Sequence, residues 1–170
     1  IPELNYREEL EKLPEAQIGD TVYFGMFYLE SAAKKERIPW IVVDKREGEI
    51  LLVAANGLYG TYYQQEYKES SWEKSSIRSL LNNEFLYMGF SKKERKLITE
   101  DNSQYGTEGG NVTYDKIFLL SLEEAGKYLT DAESGKITPT PFAFRSGINY
   151  NPNKEASWWW LRTMGKENNM

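Results

Sequence analysis

Apolar and polar positions along this chain change period several times, and each change marks an element. Residues 3–13 place Leu4, Leu10 and Leu13 among charged neighbours at helical spacing, and Pro14 ends the run, which predicts a short leading helix. From Ile18 the period drops to two. In "IGDTVYFGMFYLE", Val22, Phe24 and Met26 alternate with Thr21, Tyr23 and Gly25, the pattern of a half-buried strand. The charged residues 34–37 read as a loop. Beyond them "IPWIVVDKREGEILLVAA" reads as a hairpin with arms at 40–44 and 50–55 and its turn at Glu47-Gly48. The second arm is apolar on both faces, which predicts a central, buried strand.

The middle of the chain is helical in pattern. Ser70, Ser91 and Ser121 each stand three residues before a glutamate: Glu73, Glu94 and Glu124. This is the capping-box form, in which the hydroxyl serves an orphan amide and the carboxylate reaches back. The first helix puts Ile77, Leu80, Leu81 and Phe85 on one stripe, with Arg78 off it. The second, 92–98, is short and basic, and the third spans about 122–129. Between these last two lie a polar, glycine-rich loop and "DKIFLLS" at 115–121, which reads as a strand. Residues 135–156, "GKITPTPFAFRSGINYNPNKEA", lose regular pattern, and a long aromatic loop in a compact domain points to function.

A length of 170 residues with 40% hydrophobic positions fits one globular domain at 17–170, with residues 1–16 as a leader helix or linker. What is missing narrows the chemistry more. With no cysteine and no histidine, the chain has no disulfide, no thiolate or imidazole metal site, no cysteine nucleophile and no Ser-His-Asp triad. A net charge of −5 argues against nucleic acid as partner, and the basic cluster at Lys92, Lys93, Arg95 and Lys96 is broken by Glu94. No apolar run approaches the ~20 residues of a membrane span. An EF-hand register from Asp101 places Gly106 correctly but meets Val112 where a glutamate is required, so no calcium or other metal site is expected. No dinucleotide or phosphate loop is present, and no cofactor is expected. Serine-lysine neighbours at Lys74-Ser75 and Ser91-Lys92 are explained by helix starts.

Aromatic clusters carry the stronger signal. Tyr59, Tyr62, Tyr63 and Tyr67 lie close together between the second hairpin arm and the first helix. A tyrosine has a flat apolar face and a polar tip, suited to stacking on sugar rings or gripping a peptide, and equally to covering a core beneath a loop. In "SWWWLRT" an extended backbone places Trp158, Trp160 and Arg162 on one face and Trp159 and Leu161 on the other. A strand buried on both faces, with Arg162 bonded to a carboxylate or to carbonyls, is preferred over an exposed platform.

Several of these pieces occur in an order that resembles a bacterial family of domains of unknown function. That family is common in gut-dwelling Gram-positive bacteria and often sits in exported or multi-domain proteins. The resemblance rests on Trp72, on Ser76, Arg78, Leu81 and Asn82, and on Phe90, Ser91 and Glu94. It continues with Asp115 opening the "D-K-x-F-L-L-S" run and with Trp159, Trp160 and Arg162 in "W-W-L-R-T"; "IGDTVYFG" and "PWIVVD" match the opening strands. It covers about residues 17–165. Such domains look distantly similar to the C-type lectin-like superfamily, which includes formylglycine-generating enzymes. This implies an α+β fold with a hairpin-rich antiparallel sheet, two to three helices and long irregular loops carrying a ligand site. The formylglycine-generating reaction needs cysteines that this chain lacks, and no catalytic residue carries over.

The resulting expectation is a non-catalytic ligand-binding or adhesion-type module, secreted or on the cell surface. Its carbohydrate or peptide ligand would meet Tyr62, Tyr63 and Tyr67 of one loop and Arg145 and Tyr150 of the other. Trp72, Arg78, Asp115, Trp159, Trp160 and Arg162 would form the structural motif. The alternatives are a hydrolase using carboxylates assembled by the fold, with the cytoplasm as another location, and a structural display domain. The chain begins without methionine, which fits a mature or recombinant fragment, and it ends at "GKENNM", where the resembling family continues into a closing strand. Either the chain is cut short there or its ending differs, and if a closing strand is missing, a homodimer or strand exchange through the strand left unpaired is expected.

Overall fold

A computed structural model describes residues 9–66, 70–100, 112–130 and 136–163 of the chain. The protein is α+β and divides into two compact units, Ile1–Tyr59 with Ile137–Ser157, and Gly60–Lys136 with Trp158–Met170. Among the described residues no helix is long and apolar enough to cross a membrane.

The first unit is built on a three-stranded antiparallel sheet, with β1 (Thr21–Ser31), β2 (Lys34–Arg46) and β3 (Glu49–Ala54) in that order. The charged residues 34–37 are therefore strand, paired to β1 through Tyr28↔Lys35 and Met26↔Arg37. The turn at Glu47-Gly48 forms as its sequence demands, Gly48 taking φ +76 between the paired Arg46 and Glu49. The central strand is β2. β3 lies at the edge, half-buried along most of its length, and its outer side has no ladder partner among the described residues.

A β-bulge overturns the expected alternation of β1. Between Tyr23↔Pro39 and Met26↔Arg37, Phe24 and Gly25 oppose only Ile38, and Gly25 takes φ +73 to fit the extra residue. The faces swap there. Phe24 and Phe27 are buried while Met26 is exposed. A bulge also strands carbonyls, and Pro39 has no amide to offer Tyr23. Side chains take their place. The buried Arg37 donates from Nη2 to the Tyr23 carbonyl (2.8 Å) and from Nη1 to that of Gly25 (3.3 Å), and Trp40 Nε1 donates to the Phe24 carbonyl (2.7 Å). Arg37 also meets Glu9 at 3.3 Å, in the leading helical segment whose residues 9–12 are described.

Residues 136–156 hold more structure than their pattern predicts. A short helix, α5 by chain order (Pro141–Arg145), starts from Thr140, whose hydroxyl accepts from the Ala143 amide, with proline at the first helical position. Its Phe142 ring lies 6.0 Å from Phe27, 5.5 Å from Tyr28 and 6.5 Å from Tyr59, which seats it on β1. The hairpin of β4 (Tyr150–Asn151) and β5 (Ala156–Ser157) follows.

In the second unit a 3-10 turn, Trp72–Lys74, leads into α1 (Ser76–Leu80), a π-helical stretch Leu81–Phe85 and α2 (Leu86–Gly89). Next come α3 (Lys92–Leu97) and α4 (Leu122–Tyr128), both opened by complete capping boxes at Ser91/Glu94 and Ser121/Glu124. The third expected box does not form. The helix starts at Ser75, whose hydroxyl accepts from the Arg78 amide, while Ser70 donates to the Ser71 carbonyl. Trp72, Ile77, Phe85, Leu86, Phe90 and Leu120 are buried.

Gly25→Ala is expected to destabilise the protein by about 1–2 kcal/mol, because an L side chain is strained at that positive φ. Gly126→Ala, inside α4 with open space around the new Cβ, is expected to stabilise it by about 0.5–1 kcal/mol. Urea unfolding midpoints of the two variants should therefore move in opposite directions.

Candidate functional site

The segment 115–121, expected to be a strand, joins no sheet among the described residues. Its polar groups still have to be satisfied where they are buried, and side chains from elsewhere in the second unit do this. Asn82, in the π stretch of the helix, uses both ends of its amide. Its Oδ1 accepts from the Lys116 (2.9 Å) and Ile117 (3.2 Å) amides, and its Nδ2 donates to the Ile117 carbonyl (2.8 Å). The Leu119 carbonyl accepts from Arg162 Nη1 at 2.6 Å, and that of Leu120 from the Arg162 amide at 3.0 Å.

Asp115 anchors the start of this segment and is 1% exposed. Its Oδ2 accepts from Trp72 Nε1 (2.9 Å) and the Thr113 hydroxyl (2.7 Å), and its Oδ1 from Arg78 Nε (2.8 Å). Arg162, equally buried, anchors the far end. It pairs with Glu124 at 2.5 Å and lies over the Phe118 ring. Glu124 thus serves its own helix cap and an arginine at once. Each buried charge has an opposite partner and further hydrogen bonds, the condition under which such pairs are tolerated.

The tryptophan run sits immediately before Arg162 and is not a doubly buried strand. Trp158 is 70% exposed, while Trp159 and Trp160 are half-buried and lie outside any ladder. The reason lies in what the flanking segment offers. Trp160 donates from Nε1 to the Thr61 carbonyl at 2.9 Å and packs its ring 5.8 Å from that of Tyr63. No group in the described residues binds the indole of Trp158.

The loop bearing Tyr62 and Tyr63 is held at the start of α1. The Ile77 amide donates to the Tyr63 carbonyl (3.1 Å), the Ser76 amide to Gln64 Oε1 (2.9 Å), and the Gln65 amide to the Ser76 hydroxyl (3.2 Å). Two first-turn helix donors are therefore capped from a distant segment rather than by the local sequence. Burial pushes the Tyr63 phenol above the ordinary tyrosine range, and the neighbouring Ser75 hydroxyl acts in the opposite sense. Tyr62 stays 75% exposed.

Of the expected ligand residues, Tyr62 and Tyr63 stand in this second unit, and Tyr67 lies outside the described residues. Arg145 and Tyr150 belong to the first unit. Arg145 is exposed at the end of α5, and Tyr150 is half-buried with its ring edge-on to Phe144 at 5.8 Å. Sequence reasoning missed Thr113 and Glu124 as partners of the motif residues. The capping-box spacing explained Glu124 so fully that it hid a second role. Among the described residues no group of three or more acidic side chains could hold a metal ion, and the tested calcium loop at 101–112 lies almost wholly outside them.

Arg78→Met leaves Asp115 a buried carboxylate without its cation, and Glu124→Gln does the converse to Arg162. Each is expected to cost about 3–5 kcal/mol in urea unfolding. The raised Tyr63 phenol has the opposite consequence for alkali. Its contribution to stability is whole below the ordinary tyrosine pKa and is lost as pH rises through the folded value. Stability should fall above about pH 10, and Tyr63→Phe should flatten that limb in unfolding curves taken across the range.

The family described as Domain of unknown function (DUF6273) matches residues 47–170, from the turn before β3 onward. No curated protein and no solved structure matches the chain. With that match spanning most of its length, the chain belongs to the DUF6273 family, a domain of unknown function.

Proposed function

We propose that this chain is a non-catalytic ligand-binding or adhesion-type module of an exported bacterial protein, with a carbohydrate or peptide as its ligand. The observation that carries the reading is a pair of exposed aromatic rings, Tyr62 and Trp158, on two segments that the Trp160–Thr61 hydrogen bond joins. Both rings are mostly in water, at 75% and 70% exposure. They flank the half-buried Tyr63–Trp160 pair, and the Trp160–Thr61 hydrogen bond holds their two segments side by side. Exposed aromatic area beside rigidly fixed rings is what a sugar face or an apolar peptide side chain stacks on, because little conformational entropy remains to be lost on binding. Arg145 and Tyr150, in the first unit, do not carry this reading.

The hydrolase alternative needs carboxylates free to donate or accept a proton. Two carboxylates of this unit, Asp115 and Glu124, are each held by an arginine and by further hydrogen-bond donors, and the buried Glu94 is taken up by its own helix cap. That favours binding over hydrolysis. The C-type lectin-like architecture fits the antiparallel hairpins and the short helices, and the secreted or cell-surface placement rests on the sequence resemblance.

The test is a glycan and cell-wall fragment array probed with the protein and with Tyr62→Ala and Trp158→Ala. Loss of either exposed ring should cost about thirtyfold in affinity, the ~2 kcal/mol of an aromatic hot spot, while stability stays within about 0.5 kcal/mol of the parent. Binding that survives both substitutions would mean this surface is not the site.

A further inference from the structure

A second feature of the same unit is separate from the aromatic surface. A pocket of about 340 Å³ opens beside the Arg78–Asp115 pair, lined also by Glu73, Lys74, Ser79, Asn83 and Tyr114. Its size is at the lower end for a small-molecule site. Its lining pairs two carboxylates, Glu73 and Asp115, with two cations, Lys74 and Arg78, and keeps cationic donors to spare. Asp115 is spent, with Oδ1 on Arg78 and Oδ2 on Trp72 and Thr113. Arg78 gives Nε to Asp115 and Nη1 to the Glu73 carbonyl (3.1 Å), and its Nη2 has no partner among the described residues although the side chain is 28% exposed. Lys74, exposed on the same wall, makes no ion pair among them. Asn83 donates Nδ2 to Ser79, leaving Oδ1 as an acceptor. Tyr114 stands at the rim with 61% of its surface in water.

We infer that this pocket is a subsite for a sugar acid, a pyranose ring bearing one carboxylate. The unspent donors are cationic, an Arg78 Nη2 edge fixed in direction by the Asp115 and Glu73 bonds and a mobile Lys74 ammonium, and a carboxylate satisfies both. Glu73 and Asp115 on the same wall set the limit at a single negative charge, which disfavours a phosphate dianion. The Asn83 oxygen and the Ser79 hydroxyl suit ring hydroxyls, and the Tyr114 face suits the apolar side of the ring. A peptide's terminal carboxylate would use the cations but leave the ring face and hydroxyl partners idle. The inference does not rest on the Tyr62–Trp158 surface.

The experiment is a titration of the intact, isotope-labelled protein with methyl β-D-glucuronide, followed by amide and arginine Nε resonances. Methyl β-D-glucoside, N-acetylalanine and inorganic phosphate serve as parallel probes. The glucuronide should bind in the millimolar range, shifting resonances at 73–83 and 114–115 and the Arg78 Nε–H, and weakening as salt is raised. The glucoside should bind at least about fivefold more weakly. Tyr114→Ala should lower affinity about fivefold and Lys74→Gln about threefold; both residues are exposed, so folding is not at stake. Tyr62→Ala with Trp158→Ala should leave this binding unchanged, which separates the two sites. Equal binding of glucuronide and glucoside, preference for N-acetylalanine or phosphate, shifts confined to other residues, or indifference to both pocket variants would each overturn the assignment.

Discussion

A partly buried stretch of backbone that pairs with no strand among the described residues is the constraint on which the second unit depends. Residues 115–121 run from the buried Asp115 to the buried Leu120 and Ser121, and their buried amides and carbonyls must find partners there or cost folding energy. The unit meets this with side chains placed at intervals: Asp115 at the entrance, Asn82 against residues 116 and 117, and Arg162 against 119, with its amide on 120. Because each of these also fixes something else, the segment becomes a hub. Asp115 positions Trp72 and orients Arg78, Asn82 ties the helix to the segment, and Arg162 fixes the tryptophan run to the start of α4 through Glu124.

The first unit solves the same problem on a smaller scale. The bulge in β1 interrupts a ladder, and Arg37 and Trp40 of the neighbouring strand supply the donors that the ladder loses at Tyr23, Phe24 and Gly25. An arginine drawn inward for this purpose looks, in sequence, like part of a charged loop. In both units guanidinium groups stand in for missing backbone amides, a use that suits a planar group with five donors.

Rigidity near the exposed aromatics follows from these anchors. Tyr62 and Tyr63 are carried by a loop that caps α1, and Trp158 is four residues from the Arg162 clamp. Tyr62 and Trp158 face water, while Trp160 is bonded to the Thr61 carbonyl and Trp72 to the Asp115 carboxylate. Exposed aromatic surface and scaffold are thus made from the same residue types, and burial alone separates them.

What the sequence by itself determined is what depends on neighbours within a few residues. Ser91 and Ser121 with their glutamates, the Glu47-Gly48 turn, the two arms beside it, and the stripe through Ile77 and Phe85 were legible because caps, turns and short-range periodicity are local. The exclusion of histidine and cysteine chemistry needed only composition. Tertiary structure decided the rest. Whether Phe24 or Met26 faces inward turned on a bulge set by pairing with β2, and whether "DKIFLLS" became a strand turned on Asn82 and Arg162, one far before it in the chain and the other far after. Which tryptophan stays in water turned on a carbonyl nearly a hundred residues away. Hydrogen-bond partners at such separations leave no periodic trace in the chain, so only the folded coordinates reveal them.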